Sequence, residues 1–125
     1  METGSKLWAI TGGHIPLNST GKEPENTSRD VLCLLNTGDA VARIKLTVYY
    51  ADREPAAPYE ITVAAQRMRN IRFNDLIDPE AIPLATDYAC LVVSDVPIIA
   101  GFTKIDSSSG KVFTSAMMAH PLSML

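Results

Sequence analysis

The run Arg43-Ile44-Lys45-Leu46-Thr47-Val48-Tyr49-Tyr50 does most to narrow the folds open to this chain. Ile44, Leu46, Val48 and Tyr50 point one way and Arg43, Lys45, Thr47 and Tyr49 the other, the two-residue period of a half-buried strand. Tyr59, Ile61 and Val63 repeat the pattern against Glu60 and Thr62, and a second extended run follows through Ile71 and Phe73. Nowhere does a helical period run for three turns. Punctuation by Gly, Pro, Asn and Asp recurs every ten residues or so, which is the spacing of a sandwich. The prediction is an all-β, single-domain antiparallel β-sandwich of about eight short strands spanning residues 1–125.

Within that frame Trp8, the sole tryptophan, sits on a first strand that ends at Gly12-Gly13. Val31-Leu32-Cys33-Leu34-Leu35 has no polar alternate, so both of its faces need cover. Asn36-Thr37-Gly38-Asp39 reads as a turn joining this strand to the next in a hairpin. Pro55 and Pro58 break the sheet, a helical turn is expected after Asp78-Pro79, and Ser94-Asp95 separates two late strands.

With 125 residues, 46% hydrophobic and 20% charged, the chain is long enough for one independent core. A net charge of -3 supplies no basic footprint for nucleic acid. The apolar run Leu7-Trp8-Ala9-Ile10 is too short for a signal peptide, and no run approaches the roughly 20 residues that cross a bilayer. A cytoplasmic protein is expected, in which Cys33 and Cys90 are buried free thiols. No CxxC or HxxxH spacing marks a metal, no cofactor motif is present, and neither GxSxG nor a Walker sequence points to catalysis. The chain reads as a non-enzyme.

Polar chemistry concentrates in two places. Arg67, Arg69 and Arg72 fall within six residues of this acidic chain, followed by Asn74-Asp75; they form either a solvated face or a ligand contact. The segment from His14 to Asp30 is loop chemistry too long for a hairpin turn, so it is functional or mobile. Trp8 is either core or a stacking platform, and His14 gains interest because backbone beside Gly12-Gly13 can approach a ligand closely. Asp75, Asp78, Asp87 and Asp106 stand at strand ends, where turn capping competes with acid-base pairing.

The order Trp8-Ala9-Ile10, Gly13, Ile15-Pro16, Glu23-Pro24, Asn36, Gly38-Asp39 and Tyr49-Tyr50 resembles the sensory rhodopsin transducer family. So do Pro58-Tyr59, Thr62-Val63, Arg72-Phe73-Asn74-Asp75-Leu76, Asp78-Pro79, Ile82-Pro83, Asp87 and Pro97-Ile98. Gly101-Phe102 and Lys104 depart from the family pattern, which carries a Gln-His pair and an arginine there. The resemblance implies a soluble sandwich that assembles as a tetramer and either relays a signal from a membrane rhodopsin or binds small molecules such as sugars.

Together with strand-end placement, it implies a pocket of Trp8, His14, Arg72, Asn74, Asp75, Lys104 and Asp106. A polyol would satisfy such a mixture of donors and acceptors. The rival expectation is an adaptor that docks on a membrane receptor through Arg67 and Arg69 and binds no small molecule. The run from Val31 to Leu35 and the apolar tail Leu122-Ser123-Met124-Leu125 favour a homo-oligomer, most simply a tetramer.

Overall fold

The structure, a computed structural model, describes residues 3–20 and 27–123. Glu23-Pro24 and the Met124-Leu125 end of the expected tail lie outside the described residues. Eight strands follow in order: β1 (Ser5–Gly13), β2 (Arg29–Asn36), β3 (Ala42–Tyr49), β4 (Ala56–Val63), β5 (Arg67–Arg72), β6 (Tyr88–Asp106), β7 (Phe113–Met118) and β8 (His120–Leu122). A 3-10 turn over Phe73–Asp75 is the one helical element among the described residues. Among the described residues no helix is long and apolar enough to cross a membrane.

All pairings are antiparallel, and β6, at 19 residues, organises them. Its first half lies between β3 and β1, in the order β4-β3-β6-β1-β8. Its second half pairs with β2, which carries β5, and with β7. The even-numbered side chains of both halves face one core: Tyr88, Cys90, Val92 and Ser94, then Ile98, Ala100 and Phe102. The sandwich is therefore one eight-stranded sheet turned back on itself along β6, enclosing a single hydrophobic cluster.

Three local expectations are corrected. The Ser94-Asp95 separator is absent, because β6 runs straight through it. Between the pairs Leu7↔Val93 and Ser5↔Ile98 the register with β1 shifts, and Pro97 sits at that irregularity, where a missing N–H costs no ladder bond. The hairpin of β2 with β3 is absent too. Both strands pair instead with β6, β2 against residues 99–105 and β3 against residues 89–94, running in the same direction one after the other. A strand this long offers partners to both. The helical turn after Asp78-Pro79 is also missing, and the turn forms earlier, at Phe73–Asp75.

The corner between β2 and β3 is held by Asn36, which is fully buried. Its Nδ2 donates to the carbonyls of Ala40 (2.8 Å), Val63 (3.1 Å) and Ala64 (3.3 Å), and its Oδ1 accepts from the Gly38 N–H at 3.0 Å. One side chain thus ties the β2–β3 corner to the end of β4. The facing corner closes with the Gln66 N–H on the Gly38 carbonyl at 3.1 Å. The 76–87 connector is pinned by the Tyr59 hydroxyl on the Glu80 carbonyl (2.6 Å) and by buried Ile82.

Replacing Asn36 with Ala strands these buried backbone groups, so urea unfolding should register a loss of about 1–3 kcal/mol with an unchanged m-value. A loss under about 0.5 kcal/mol would show that water or local rearrangement takes over the clasp.

Candidate functional site

The end of β1, the start of β2 and both ends of β6 meet at one buried carboxylate. Asp30 is 1% exposed. Its Oδ2 accepts from the Tyr88 hydroxyl at 2.7 Å and the His14 N–H at 2.9 Å, while Oδ1 accepts from Lys104 Nζ at 2.9 Å. Lys104 also donates to the His14 carbonyl at 3.1 Å. Three donors, one of them a cation, compensate this carboxylate, the condition for holding a charge inside a fold. The Tyr88 ring lies against the backbone of Gly13, where an added Cβ would come within 2.4 Å of it; only glycine fits there. Phe73 wedges between Tyr88 and Phe102, with centroids at 5.2 and 5.7 Å.

Around this knot lies a rim open to solvent. His14 Nδ1 is 2.8 Å from Asp87 Oδ1, an ion pair when the imidazole is protonated. Beside it is a recess of about 500 Å³ lined by Gly12, Gly13, Tyr49, Tyr50, Asp87 and Tyr88. The Tyr50 hydroxyl is buried yet has no hydrogen-bond partner, and burial, then Glu80, push its pKa up. Arg53 stacks over the Tyr50 ring at 4.9 Å and fixes it.

The seven residues expected to share a pocket are distributed over several environments. His14 and Lys104 join at Asp30. Asn74 donates to the Ser28 carbonyl at 3.1 Å, and its Oδ1 is buried without a partner. Arg72 lies on the outward face of β5, with its Nε 3.9 Å from Asp75, too far for a hydrogen bond. Asp106 caps its own turn, accepting from the Ser108 N–H (2.9 Å) and hydroxyl (2.6 Å), and these bonds hold its carboxyl below the usual range. Trp8 is core: it is 5% exposed, and its indole N–H donates to the carbonyls of Ser5 and Ile98.

The 14–28 loop is tied down where it is described. Ser28 Oγ meets Ser107 Oγ at 3.3 Å and accepts from the Ser107 N–H at 2.9 Å. Thr20 donates to the Ser107 carbonyl through its N–H at 2.9 Å and through its hydroxyl.

Asp30, Tyr49, Tyr50 and Tyr88 were not singled out as site residues by their spacing. The adjacent tyrosines closing the clearest strand were the available signal. Both cysteines are free, and burial pushes the Cys90 thiol up to about 12.

Two measurements test the knot. Asp30→Ala leaves Lys104, Tyr88 and the His14 N–H without their acceptor and should cost on the order of 3 kcal/mol. Burial raises the Tyr88 and Tyr59 phenols above their ordinary 10.0, Tyr59 to about 12 and Tyr88 further still with help from Asp30. Because the folded state favours the neutral phenol, stability should hold below pH 10 and fall as pH rises from there through 12. Absorbance near 295 nm showing four phenolates before the fold is lost would contradict this assignment.

The description "Anabaena sensory rhodopsin transducer" matches residues 3–121. The solved structure of Anabaena sensory rhodopsin transducer is 45% identical, with a TM-score of 0.73, covering 80% of this chain and 96% of that one. A crystal structure of Thermotoga maritima 1070 is 24% identical with a TM-score of 0.81, covering 95% and 96%, and shows the same fold. No curated protein matches. The match along nearly the whole chain places this protein in the Anabaena sensory rhodopsin transducer family.

Proposed function

We propose that this protein is a non-enzymatic, cytoplasmic signalling module that takes a small polar ligand of the carbohydrate class and passes the event on through protein contacts. The observation that carries this reading is Tyr50, which lines the 500 Å³ recess beside His14 and Asp87 and whose buried hydroxyl has no partner within the chain. A buried polar group without a partner is uncommon in a folded protein. A sugar hydroxyl would supply one here, its apolar face resting on Tyr49, which is 42% exposed. Asp87 accepts from further hydroxyls, and the bare backbone of Gly12 admits close approach.

Self-association follows from two apolar outward surfaces. Leu7, Leu91 and Val93 face out on one half of the sheet, and Leu35, Met68 and Met118 on the other. Two separate self-complementary patches suit a tetramer with two kinds of two-fold contact.

A second reading is favoured by one observation: Arg67 and Arg69 stand exposed on β5, next to no acidic side chain of their own strand. Such a basic edge would suit an adaptor that docks on a membrane photoreceptor and needs no small ligand.

A thermal-shift panel of neutral monosaccharides separates the two. A ligand at 100 times its Kd should add about 2.7 kcal/mol of stability, and Tyr50→Phe should remove that gain while leaving the mass unchanged. The absence of any saccharide effect would overturn the ligand reading and leave the adaptor. Light scattering should give four times the chain mass of 13.5 kDa, and a monomer would remove the assembly.

A further inference from the structure

The outward face of β5, β2 and β6 carries a second concavity unrelated to the tyrosine recess. Arg29, Val31, Cys33, Asn70, Arg72, Thr103 and Ile105 surround a groove of about 400 Å³. The registers explain its shape. Val31 pairs with Arg72 on one side and Thr103 on the other, Cys33 with Asn70 and Gly101, and Arg29 with Ile105. Val31 and Cys33 on β2 and Thr103 on β6 are short, so the longer side chains of Arg29 and Arg72 rise as walls beside a low floor.

Its electrostatics are one-sided. Two guanidinium groups, one amide and one hydroxyl line the groove, no described lining residue is acidic, and Arg29 is steadied by donating to the Thr27 carbonyl at 3.0 Å. The nearest carboxylate to Arg72 is Asp75, at 3.9 Å and 67% exposed, on the flank rather than inside. Arg72 Nε is itself buried and has no hydrogen-bond partner. An unmet guanidinium N–H is costly to keep, and an oxyanion that can present two oxygens is the group that fits its fork.

We propose that this groove is a binding site for a small oxyanion, the carboxylate or phosphate group of a compact molecule. In it, Arg72 bonds the oxygens head-on, Arg29 supplies the second positive charge, and Thr103 and Asn70 donate from the sides. The volume suits a molecule of metabolite size rather than a polymer. The site shares no residue with the tyrosine recess, and it lies on the same outward face as Leu35, Met68 and Met118, toward the Arg72 end of those strands.

The floor provides its own reporter. Cys33 Sγ is half-buried in the groove, 3.6 Å from Thr103 Oγ1, whereas Cys90 is buried in the core. A bound anion would cover Cys33 without touching Cys90.

The test titrates the intact protein with succinate and, separately, with inorganic phosphate at constant ionic strength, following the melting temperature and the rate of Cys33 alkylation by uncharged iodoacetamide. Saturable stabilisation together with at least fivefold slower alkylation is expected for one or both anions, and the stronger of the two identifies the preferred group. Arg72→Gln should abolish both effects, and Tyr50→Phe should leave both intact. Should Arg72→Gln fail to fold, Thr103→Val and Asn70→Ala serve instead, each weakening the apparent affinity severalfold. No saturable effect of either anion, or protection unchanged in the groove variants, would overturn the site.

Discussion

The buried carboxylate of Asp30 is the constraint on which the rest of this structure depends. Tyr88 and Lys104 lie 16 positions apart on one strand, a separation of about 50 Å if that strand ran straight. Both nonetheless bond the same carboxylate, at 2.7 and 2.9 Å. The bond pair is thus a statement about the shape of β6: the strand must double over, and the sheet it organises must close around a core. An anion held by a lysine, a phenol and a backbone N–H has little freedom to accept other geometries, because each lost partner leaves charge uncompensated in the interior. The clasp therefore specifies the bend as well as stabilising it.

Given that bend, the parity of β6 distributes every other role. Even-numbered residues enter the core along the whole strand, and Lys104 keeps that parity as it reaches inward to Asp30. Odd-numbered residues face out. Leu91 and Val93 make an apolar surface with β1, and Thr103 and Ile105 floor the groove under Arg72. A one-residue slip would exchange these sets entirely, which explains why the corners are locked by specific groups such as Asn36 rather than by generic turns.

The alternation in residues 43–50 and 59–63 was sufficient for strands, all-β class and half-buried faces, because period and burial are local properties of a strand. Strand partners were not legible in the same way. Ser94-Asp95-Val96-Pro97 has the composition of a break, and its continuity depends on a register irregularity opposite β1 that no local pattern encodes. The hairpin expected from Asn36-Thr37-Gly38-Asp39 failed for the same reason, since turn chemistry at a corner and at a hairpin looks alike while the choice rests with a distant partner strand. Asp30 was invisible as an organiser because its three contacts come from residues 14, 88 and 104. Trp8 was assigned to both core and platform by composition, and its indole N–H found carbonyls within the fold.

Satisfaction of polar groups separates scaffold from candidate site more sharply than residue type does. Asp30, Lys104, Asn36 and Ser28 are as polar as any binding residue, yet each has its partners inside the chain, and so each reads as structure. Tyr50 and Arg72 each line a concavity and each keep a buried polar atom unmet. An unmet group in that position raises the free energy of the empty protein by more than a satisfied one, and the difference returns when a ligand supplies the missing bond. The two groups stand apart, Tyr50 just past the end of β3 and Arg72 at the end of β5 on its outward face, and the concavities they line share no residue.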